Sequence, residues 1–482
     1  MRQILNRLHP TELFAVVVLV TACVVFTHYR QRFVGGADLY GYHEQGAGIR
    51  AGRVALPLAP DIAAFAAAVP FGYVPTESGA LPQYPPGFPL LLAIAGLVGG
   101  EGLVTPFLGA LSGLLVFLIL RRSVAPWTAA VCGALWTFCP IVAYSSTILM
   151  SDMVSATLLL AVWWLYLRGN IALSALVLGF SFTVRPTNVL FLVALLLPLW
   201  RDRQWLRYAC WLALPCAAYG LYNHLLFGAP WRTGYGGIGN EFQTGIFTSH
   251  LAFYSHQTVR QLGWPVAALA LLGLCTRHRD RWFHLLWFAP FFVLYCFWLS
   301  GGDRWWWTRF LLPGYAALFL LAAPGFERLQ AWVLARLPRP DWRPPAQVAL
   351  LVLLGLSVLY YVRLARIEQD VWVEQKGIDY YYAVRRLAEV APPGSYAGSI
   401  EFAGSTRLYT DLGAFLTFYD DSLALAESVL RSGREVYLLI EPWRQEDPLV
   451  RRLLGHFPHE RLADIPVWGG LPVYRLHLPP GR

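Results

Sequence analysis

The stretch Gly35-Gly36-Ala37-Asp38-Leu39-Tyr40-Gly41-Tyr42-His43-Glu44 lies just beyond the first hydrophobic segment and begins a long loop. A carboxylate at the point where a membrane helix meets water is costly to keep near lipid, so Asp38 is a candidate functional residue. The alternative is that Asp38 caps a short helix, predicted over 39–53, by accepting a backbone hydrogen bond. The rest of the chain shifts the balance toward function.

The composition is that of a polytopic membrane protein. Of 482 residues, 56% are hydrophobic and 14% are charged, whereas soluble proteins carry charge on about a quarter of their residues. The 20 tryptophans and 24 tyrosines fit aromatic belts at the membrane surface. The seven cysteines all fall in apolar runs, without the spacing of a metal site or a disulfide framework.

Apolar runs predict the spans, because a membrane helix needs roughly 20 apolar residues. We predict eleven spans, at 11–29, 103–120, 125–144, 153–167, 171–184, 187–200, 206–227, 263–275, 282–299, 310–323 and 346–361. The segment 88–100 is apolar but too short to cross, which indicates an interfacial or re-entrant helix.

Basic residues orient the predicted spans. Most arginines outside the C-terminal region fall in loops that share one side: Arg2, Arg7, Arg121, Arg122, Arg168, Arg201, Arg203, Arg207, Arg277, Arg279, Arg281, Arg328, Arg336, Arg339 and Arg343. The N-terminus is therefore predicted to be cytoplasmic. The first loop, 30–102, then lies on the external face with the loops 228–262 and 301–309 and with Asp152 and Arg185. The formal charge of +9 is explained by this orientation and not by nucleic-acid binding.

The predicted fold class is mainly α, with two domains. Residues 1–362 form a polytopic transmembrane helical bundle, and residues 363–482 form a small extracytoplasmic α/β domain. The second domain is predicted from helices at 376–390 and 421–431 and strands at 435–440 and 472–478. It shows no catalytic constellation, which favours a lid or docking module.

Several short motifs occur in a recognisable order. Asp38 is followed by Tyr42, Ala47 and Gly52, and the stretch 83–91 leads into the short apolar helix. Further matches lie at 144–152, 183–187 and 308–313. This ordered set, over roughly 10–325, resembles the GT-C superfamily of membrane glycosyltransferases, particularly the bacterial branch of protein O-mannosyltransferases and the aminoarabinose transferase of lipid A. Leu39 stands where that family often has a second acidic residue, a place that Glu44 is able to fill.

The resemblance implies transfer of a sugar from a polyprenyl-phosphate carrier to an acceptor outside the membrane. The carrier phosphate is a good leaving group, so a single inverting displacement needs one base for the acceptor hydroxyl. A positioned carboxylate contributes about 10²–10⁴-fold in rate. Asp38 is the predicted base. Asp152 is a second catalytic candidate, for substrate or metal, and its alternative role is to cap the fourth predicted span.

The departing phosphate needs positive charge, and the arginine fork suits its oxygens. The candidates for donor-phosphate binding are Arg309, Arg185 and Arg304, and their alternative role is snorkelling at helix ends. The tryptophans 305–307 fit either an aromatic belt or a stacking surface. The glycine-rich loop at 231–240 fits a segment that closes over substrate. The predicted substrate-binding residues are Tyr42, Glu44, Tyr84, Trp306 and Tyr235.

Cofactors and partners follow from this interpretation. No metal ligand is assigned, although a divalent metal is left open, and His250 and His256 are interpreted as surface histidines. The predicted partners are a polyprenyl-phosphate sugar, a lipid, glycan or protein acceptor, and membrane lipids in the inner membrane. One alternative is a translocator of lipid-linked sugars, although the spans hold few charges for a polar path. Another is a polysaccharide polymerase or ligase, which usually has large late external loops.

Overall fold

The computed structural model describes residues 9–76, 79–236 and 241–479. The predictions on Arg2, Arg7 and the residues 237–240 therefore lie outside the described residues. The chain divides into two compact units. The helical unit comprises Met1–Arg30, Gly102–His224 and Gly237–Glu374; the mixed unit comprises Gln31–Glu101, Leu225–Gly236 and Gln375–Arg482.

Helices of the helical unit begin and end close to the predicted spans. They are Pro10–His28, Val104–Leu120, Pro126–Phe138, Pro140–Thr147, Ser151–Leu167, Ile171–Val184, Phe191–Arg201, Trp205–Phe227, Phe247–Leu262, Trp264–Cys275, Arg281–Cys296, Leu312–Leu334, Arg343–Gly355 and Ser357–Ile367. The last three residues of the Trp205–Phe227 helix, 225–227, belong to the mixed unit. Short 3-10 segments lie at Glu101–Leu103, Pro186–Leu190, Trp305–Leu311 and Pro340–Trp342.

The apolar helices make the chain a membrane protein, but they do not confirm eleven spans. In the described residues, four helices are long and apolar enough to cross: Pro10–His28, Glu101–Leu120, Trp305–Leu334 and Pro340–Ile367. Two bent pairs raise the number to six if each pair is one span. The predicted span at 125–144 bends by 55° before Pro140, because proline cannot donate the backbone bond that continues a helix. The other pair bends by 105° at Gly263.

Aromatic side chains pack the core of the helical unit, and two of its buried indoles are hydrogen-bonded. The indole of Trp163 stacks on Phe283 with ring centroids 3.8 Å apart. The buried indole of Trp136 donates to Ser112 Oγ (2.8 Å), and that of Trp287 donates to the carbonyl of Pro313 (2.8 Å). Buried tryptophans usually find such a partner, since an unpaired N–H away from water is costly.

The mixed unit contains two sheets in its described part. Strands β1 (Tyr73–Thr76) and β2 (Gly79–Pro82) form an antiparallel pair. Five further strands form a sheet of order β4-β3-β5-β7-β6. These strands are β3 (Tyr396–Ser399), β4 (Gly413–Leu416), β5 (Val436–Leu439), β6 (His459–Ile465) and β7 (Leu471–Leu476). Strand β3 is parallel to β4 and β5, whereas β7 is antiparallel to β5 and β6.

Helices accompany these sheets. They are Ala37–Arg50, Gly87–Gly96, Ile378–Val390, Ala403–Tyr409, Ser422–Arg431 and Pro448–His456, with 3-10 segments at Ala66–Ala68 and Pro442–Arg444. The predicted helices at 376–390 and 421–431 and strands at 435–440 and 472–478 coincide with four of the elements found. The Gly87–Gly96 helix has 10 residues, about 15 Å of helix, which is half of a bilayer core.

Candidate active site

Asp152 lies at the start of the Ser151–Leu167 helix and is 1% exposed. The alternative role of Asp152 as the N-cap of this helix is wrong, because the N-cap is Met150, whose side chain makes no cap hydrogen bond. The carboxylate instead faces two arginines. Its Oδ1 lies 2.7 Å from Arg185 Nη1, and its Oδ2 lies 4.0 Å from Arg309 Nε. We call these three residues the Asp152 cluster.

Local backbone structure aims Arg185 at Asp152. The Ile171–Val184 helix ends just before it, and Arg185 is extended, with φ −145° and ψ 115°. Pro186 explains this ending, since proline disfavours helical backbone in the residue before it. The turn then continues into a 3-10 segment.

Asn188 fixes that turn to the helix of Asp152. Its side-chain amide donates to the carbonyl of Ser181 (3.0 Å), and its Oδ1 accepts from Ser155 Oγ (2.5 Å). Ser155 is three residues after Asp152, so both lie on one face of that helix. The sequence analysis missed Asn188. It is fully buried, and an asparagine two residues after a Pro turn is the one signal that was available.

Arg309 belongs to the 3-10 segment Trp305–Leu311 and is 9% exposed. The ring of Phe310 lies beside both arginines: its centroid is 4.8 Å from Arg185 Cζ and 5.0 Å from Arg309 Cζ. The Trp307 ring is 5.5 Å from Arg309 Cζ. Such contacts stabilise a guanidinium while leaving its edge for hydrogen bonds. The cluster therefore presents two oriented guanidinium groups, a geometry suited to phosphate oxygens.

The structure does not bring Arg304 into this cluster. The Arg304 side chain is 57% exposed and pairs with Asp303 at 3.7 Å. Its Cζ lies 4.9 Å from the ring centroid of Trp306, so two predicted site residues contact one another at the surface. Trp307 donates to Asp303 Oδ1 (2.5 Å), which holds the 3-10 segment on its preceding loop.

Asp38, in the mixed unit, is the second residue of the Ala37–Arg50 helix. The alternative role of Asp38 as the N-cap of this helix is wrong, because Gly36 is the N-cap. Asp38 Oδ1 instead accepts a hydrogen bond of 2.7 Å from Tyr84 Oη. Burial, with a further contribution from the Asp38 charge, holds the pKa of Tyr84 well above its usual value. The phenol therefore keeps its proton and remains a donor to the carboxylate.

Three predicted substrate-binding tyrosines form one aromatic group beside Asp38. Tyr84 stacks on Tyr42 with ring centroids 4.3 Å apart, and Tyr235 meets Tyr84 edge-on at 6.2 Å. The carbonyl of Tyr84 accepts from Gln45 Nε2 (3.2 Å). We call Asp38, Tyr42, Tyr84 and Tyr235 the Asp38 cluster.

Glu44 is partly buried and lies six residues after Asp38 in the Ala37–Arg50 helix. Its charge acts on Tyr40 and Tyr73: burial raises the pKa of Tyr40 to about 12 and that of Tyr73 further, and the Glu44 charge adds to both. The neighbouring His43 Nδ1 lies 3.2 Å from Glu101.

Two acidic residues that the sequence analysis missed follow parallel strands of the five-stranded sheet. Glu401 comes two residues after β3, and Glu441 comes two residues after β5. The carboxyl ends of parallel strands meet at one edge. There, Glu441 Oε1 accepts from the backbone N–H groups of Ile400 (3.1 Å) and Glu401 (2.7 Å). A carboxylate directly after the predicted strand 435–440 was the available signal for Glu441, whereas β3 was not predicted.

Metal-binding geometry is not found in the described parts of the chain. No group of three or more His, Cys, Asp or Glu side chains is arranged there to hold an ion. His250 is 8% exposed, so its interpretation as a surface histidine is wrong. It lies so close to Gly302 that a Cβ there would overlap its imidazole. His256 lines a groove of about 560 Å³ with Arg260 and Tyr360.

Comparison with known proteins shows that the fold of this chain is similar to the folds of several solved structures. No protein-family model and no curated protein sequence matches this chain. Two crystal structures of ArnT from Cupriavidus metallidurans are similar: the apo state (TM-score 0.63) and the complex with undecaprenyl phosphate (TM-score 0.65), each at 14% identity. The matched regions cover 95% of this chain for the apo state and 96% for the complex, and 97% of the ArnT chain in both. The oligosaccharyltransferase AglB from Archaeoglobus fulgidus has TM-score 0.54 and 13% identity over 90% of this chain and 70% of AglB.

Proposed function

We propose that this chain, which has the GT-C fold of ArnT and AglB, transfers a sugar from a polyprenyl-phosphate donor to an acceptor hydroxyl by an inverting single displacement. The observation that carries the proposal is the convergence of Arg185 and Arg309 on the buried carboxylate of Asp152. Burying two arginines is costly unless they are paired and hydrogen-bonded. Two largely buried guanidinium groups beside a single carboxylate leave an excess of positive charge that a phosphate can balance.

The Asp152 cluster is the proposed phosphate site. Arg185 and Arg309 bind oxygens of the carrier phosphate, and Asp152 orients both guanidinium groups. As the bond between the anomeric carbon and the phosphate oxygen breaks, negative charge grows on that oxygen. Prearranged positive groups stabilise such charge more than water does, because they need not reorganise. Asp152 therefore acts in this proposal through the arginines. Arg304, at the surface with Trp306, is the weaker candidate for the same phosphate.

Asp38 is the proposed base. The acceptor oxygen attacks the anomeric carbon from the face opposite the phosphate, and its proton passes to the Asp38 carboxylate. One bond forms, one bond breaks, and the polyprenyl phosphate leaves without needing a proton. Tyr84 holds the carboxylate in one orientation, and Tyr42 and Tyr235 provide aromatic surface on which a sugar ring can stack. Glu44 is retained as a substrate contact.

The donor class is supported by the bound molecules of the similar structures. The ArnT crystal structure contains undecaprenyl phosphate, and the AglB structure is a complex with an inhibitory peptide and a dolichol-phosphate. We extend the lipid-phosphate donor to this chain and leave the acceptor as a lipid, a glycan or a protein. We further propose that residues 1–362 form the inner-membrane domain with a cytoplasmic N-terminus, and that residues 363–482 lie outside.

The test uses the purified full-length protein in nanodiscs with a panel of polyprenyl-phosphate sugars and acceptors. Release of polyprenyl phosphate is compared between wild type, Asp38→Asn and the control Asp411→Asn, an exposed aspartate. We expect turnover by wild type, a loss of about 10²–10⁴-fold in Asp38→Asn, and no change in Asp411→Asn. Equal turnover in all three proteins would remove Asp38 as the base. Donor binding without release of polyprenyl phosphate by wild type would overturn the transferase and favour the translocator.

A further inference from the structure

The segment that carries Asp38 is held by the C-terminal part of the mixed unit, residues 375–479. The backbone N–H groups of Arg32 and Phe33 both donate to the carbonyl of Lys376, at 3.3 and 3.2 Å. The N–H of Val34 donates to Tyr409 Oη (2.7 Å). Backbone groups of a loop usually pair within the loop or with water. Here three consecutive residues before the Asp38 helix pair with residues far along the chain.

The next two residues pack flat against the same region. A Cβ at Gly35 would overlap the ring of Tyr380. Gly36 has φ +74°, a backbone conformation that favours glycine, and a Cβ there would lie 3.3 Å from Tyr380 Oη and 3.5 Å from Glu401 Oε2. The two glycines therefore permit a close approach of the loop to the Ile378–Val390 helix and to Glu401.

Beyond Asp38 the contact continues through Tyr40. This side chain is 2% exposed, and a Cβ at Gly404 would overlap its ring. The positive charge of Arg407 acts on its hydroxyl. Both Gly404 and Arg407 belong to the Ala403–Tyr409 helix. The first turn of the Asp38 helix is thus fixed on both sides of Asp38 by residues of the C-terminal part.

Glu401 lies at the start of the Asp38 helix. A Cβ at Gly36 would lie 3.5 Å from Glu401 Oε2, and the backbone N–H of Ala37, the first residue of the helix, favours the ionised form of this carboxyl group. That N–H has no partner inside the helix, and Gly36 has no side chain with which to cap it. A carboxylate at this position satisfies the donor and interacts favourably with the helix dipole. Glu401 therefore does for this helix what a capping side chain normally does.

Neighbouring groups fix Glu401 in turn. Its own backbone N–H donates to Glu441, which is 1% exposed. The positive charge of Arg444 acts on both carboxylates. Asp38 lies close enough to Glu401 for their charges to interact.

We propose that Glu401 is the positioning residue of Asp38, so that the C-terminal domain completes the catalytic base. The inference rests on the proposed function, in which Asp38 takes the acceptor proton. Glu401 acts by holding the start of the helix: its carboxylate lies beside Gly36 and Ala37, the two residues that precede Asp38, and so fixes the place and orientation of the Asp38 side chain. The C-terminal part of the mixed unit, residues 375–479, is then part of the catalytic arrangement. This role goes beyond the lid or docking module that the sequence analysis favoured.

The charge of Glu401 changes near neutral pH. Burial, together with the charge of Glu441, raises its pKa to about 7, and the charge of Asp38 adds to this, while Arg444 and the N–H of Ala37 oppose it. Above this pH the residue is a carboxylate and a strong acceptor. Below it, the protonated group is a weaker acceptor and loses its favourable interaction with the dipole of the Asp38 helix. Turnover should therefore rise as pH passes through about 7.

The test compares full-length wild type, Glu401→Gln, Glu401→Ala and the control Glu389→Gln, an exposed glutamate of the same domain. Glutamine keeps the size and the acceptor oxygen of Glu401 but not the charge. We expect kcat of Glu401→Gln at pH 8 to fall about tenfold, with the KM for the donor unchanged and the inflection near pH 7 lost. Glu389→Gln should keep the wild-type profile.

Hydrogen exchange of the backbone amides of residues 33–40 provides a readout that does not need turnover. We expect faster exchange there in Glu401→Ala than in wild type or Glu389→Gln. A pH profile of Glu401→Gln that keeps its inflection, or unchanged exchange in Glu401→Ala, would overturn the positioning role. If wild type shows no turnover, the proposed function fails, and the exchange measurement still decides whether Glu401 anchors the helix. If Glu401→Ala does not fold, Glu401→Gln decides by its profile.

Discussion

Tyr84 Oη donates a hydrogen bond of 2.7 Å to Asp38 Oδ1 although 46 positions separate the two residues. The phenol is held by its stack on Tyr42 and by the bond from Gln45 to its backbone carbonyl. A carboxylate fixed in this way loses rotational freedom before substrate arrives, which lowers the entropic cost of the reaction.

Removing this donor should slow the reaction. We expect Tyr84→Phe to lower kcat about tenfold, because a hydrogen bond to a charged group contributes about 1.5–3 kcal/mol. The measurement is kcat at pH 8, with Tyr474→Phe in β7 as control. An unchanged kcat in Tyr84→Phe would contradict this role of Tyr84.

The two arginines of the Asp152 cluster should matter more than Arg304. Arg185→Lys and Arg309→Lys keep the charge but lose the fork that grips two phosphate oxygens. We expect turnover in each to fall by at least about tenfold, the value of one charge-assisted bond, and Arg304→Ala to fall less because that side chain is exposed. The measurement is donor binding and turnover of each variant beside Arg386→Ala, which removes an exposed ion pair. A larger loss in Arg304→Ala would move the phosphate site to the surface.

Asn188 should contribute to stability as well as to the site. Asn188→Ala leaves the carbonyl of Ser181 and the hydroxyl of Ser155 without this partner in a buried place, a change that costs about 1–3 kcal/mol. We expect a lower thermal unfolding midpoint and weaker donor binding, because the turn that carries Arg185 loosens. Ser249→Ala, which removes an exposed hydroxyl, is the control. An unchanged midpoint in Asn188→Ala would show that the turn is held by other contacts.

Glu401 should also affect the pH dependence of stability. Its pKa is higher in the folded protein, about 7, than its usual 4.5. The folded state therefore binds this proton more tightly, and the resulting stability is complete below pH 4.5 and is lost as pH rises through about 7. We expect the unfolding midpoint of Glu401→Gln to vary less between pH 5 and 8 than that of wild type, and to be higher at pH 8.

The control for this measurement is Glu389→Gln, which should follow wild type at every pH. Parallel curves for wild type and Glu401→Gln would show that Glu401 does not titrate in this range. The expected combination, greater stability at pH 8 with lower turnover, is typical of residues kept for function.

The sequence predicted those features that depend on local patterns. Apolar runs end at charged or turn residues, so the predicted span 153–167 differs from the Ser151–Leu167 helix by two residues at its start. The same reasoning failed where a run continues through a break: the bends at Pro140 and Gly263 lie within or beside continuous apolar sequence. Short spans also remain unconfirmed, because several apolar helices have fewer residues than a bilayer requires.

The residue types in the sequence predicted which side chains belong to the candidate site. Their spacing along the chain was a poorer guide to which of them are in contact. The sequence analysis expected three residues on the external face, and these residues do meet: Asp152, Arg185 and Arg309. They meet because each lies at or next to the end of a helix. Arg304 is five positions from Arg309, yet the 3-10 segment between them directs one side chain outward and the other inward. Glu401 was missed for a different reason: its role depends on Ala37, and no local pattern links two residues so far apart in the chain.

The chain order of the mixed unit has a consequence for biosynthesis. Tyr409, which receives the N–H of Val34, is made 375 positions later. At about 5–20 residues per second, the ribosome needs roughly 20–75 s to supply it. During that interval the backbone donors of residues 32–34 lack the partners that later hold them. Assembly of the Asp38 segment must therefore be among the last steps of synthesis, and a chain that ended before its C-terminal region would leave these donors without their partners.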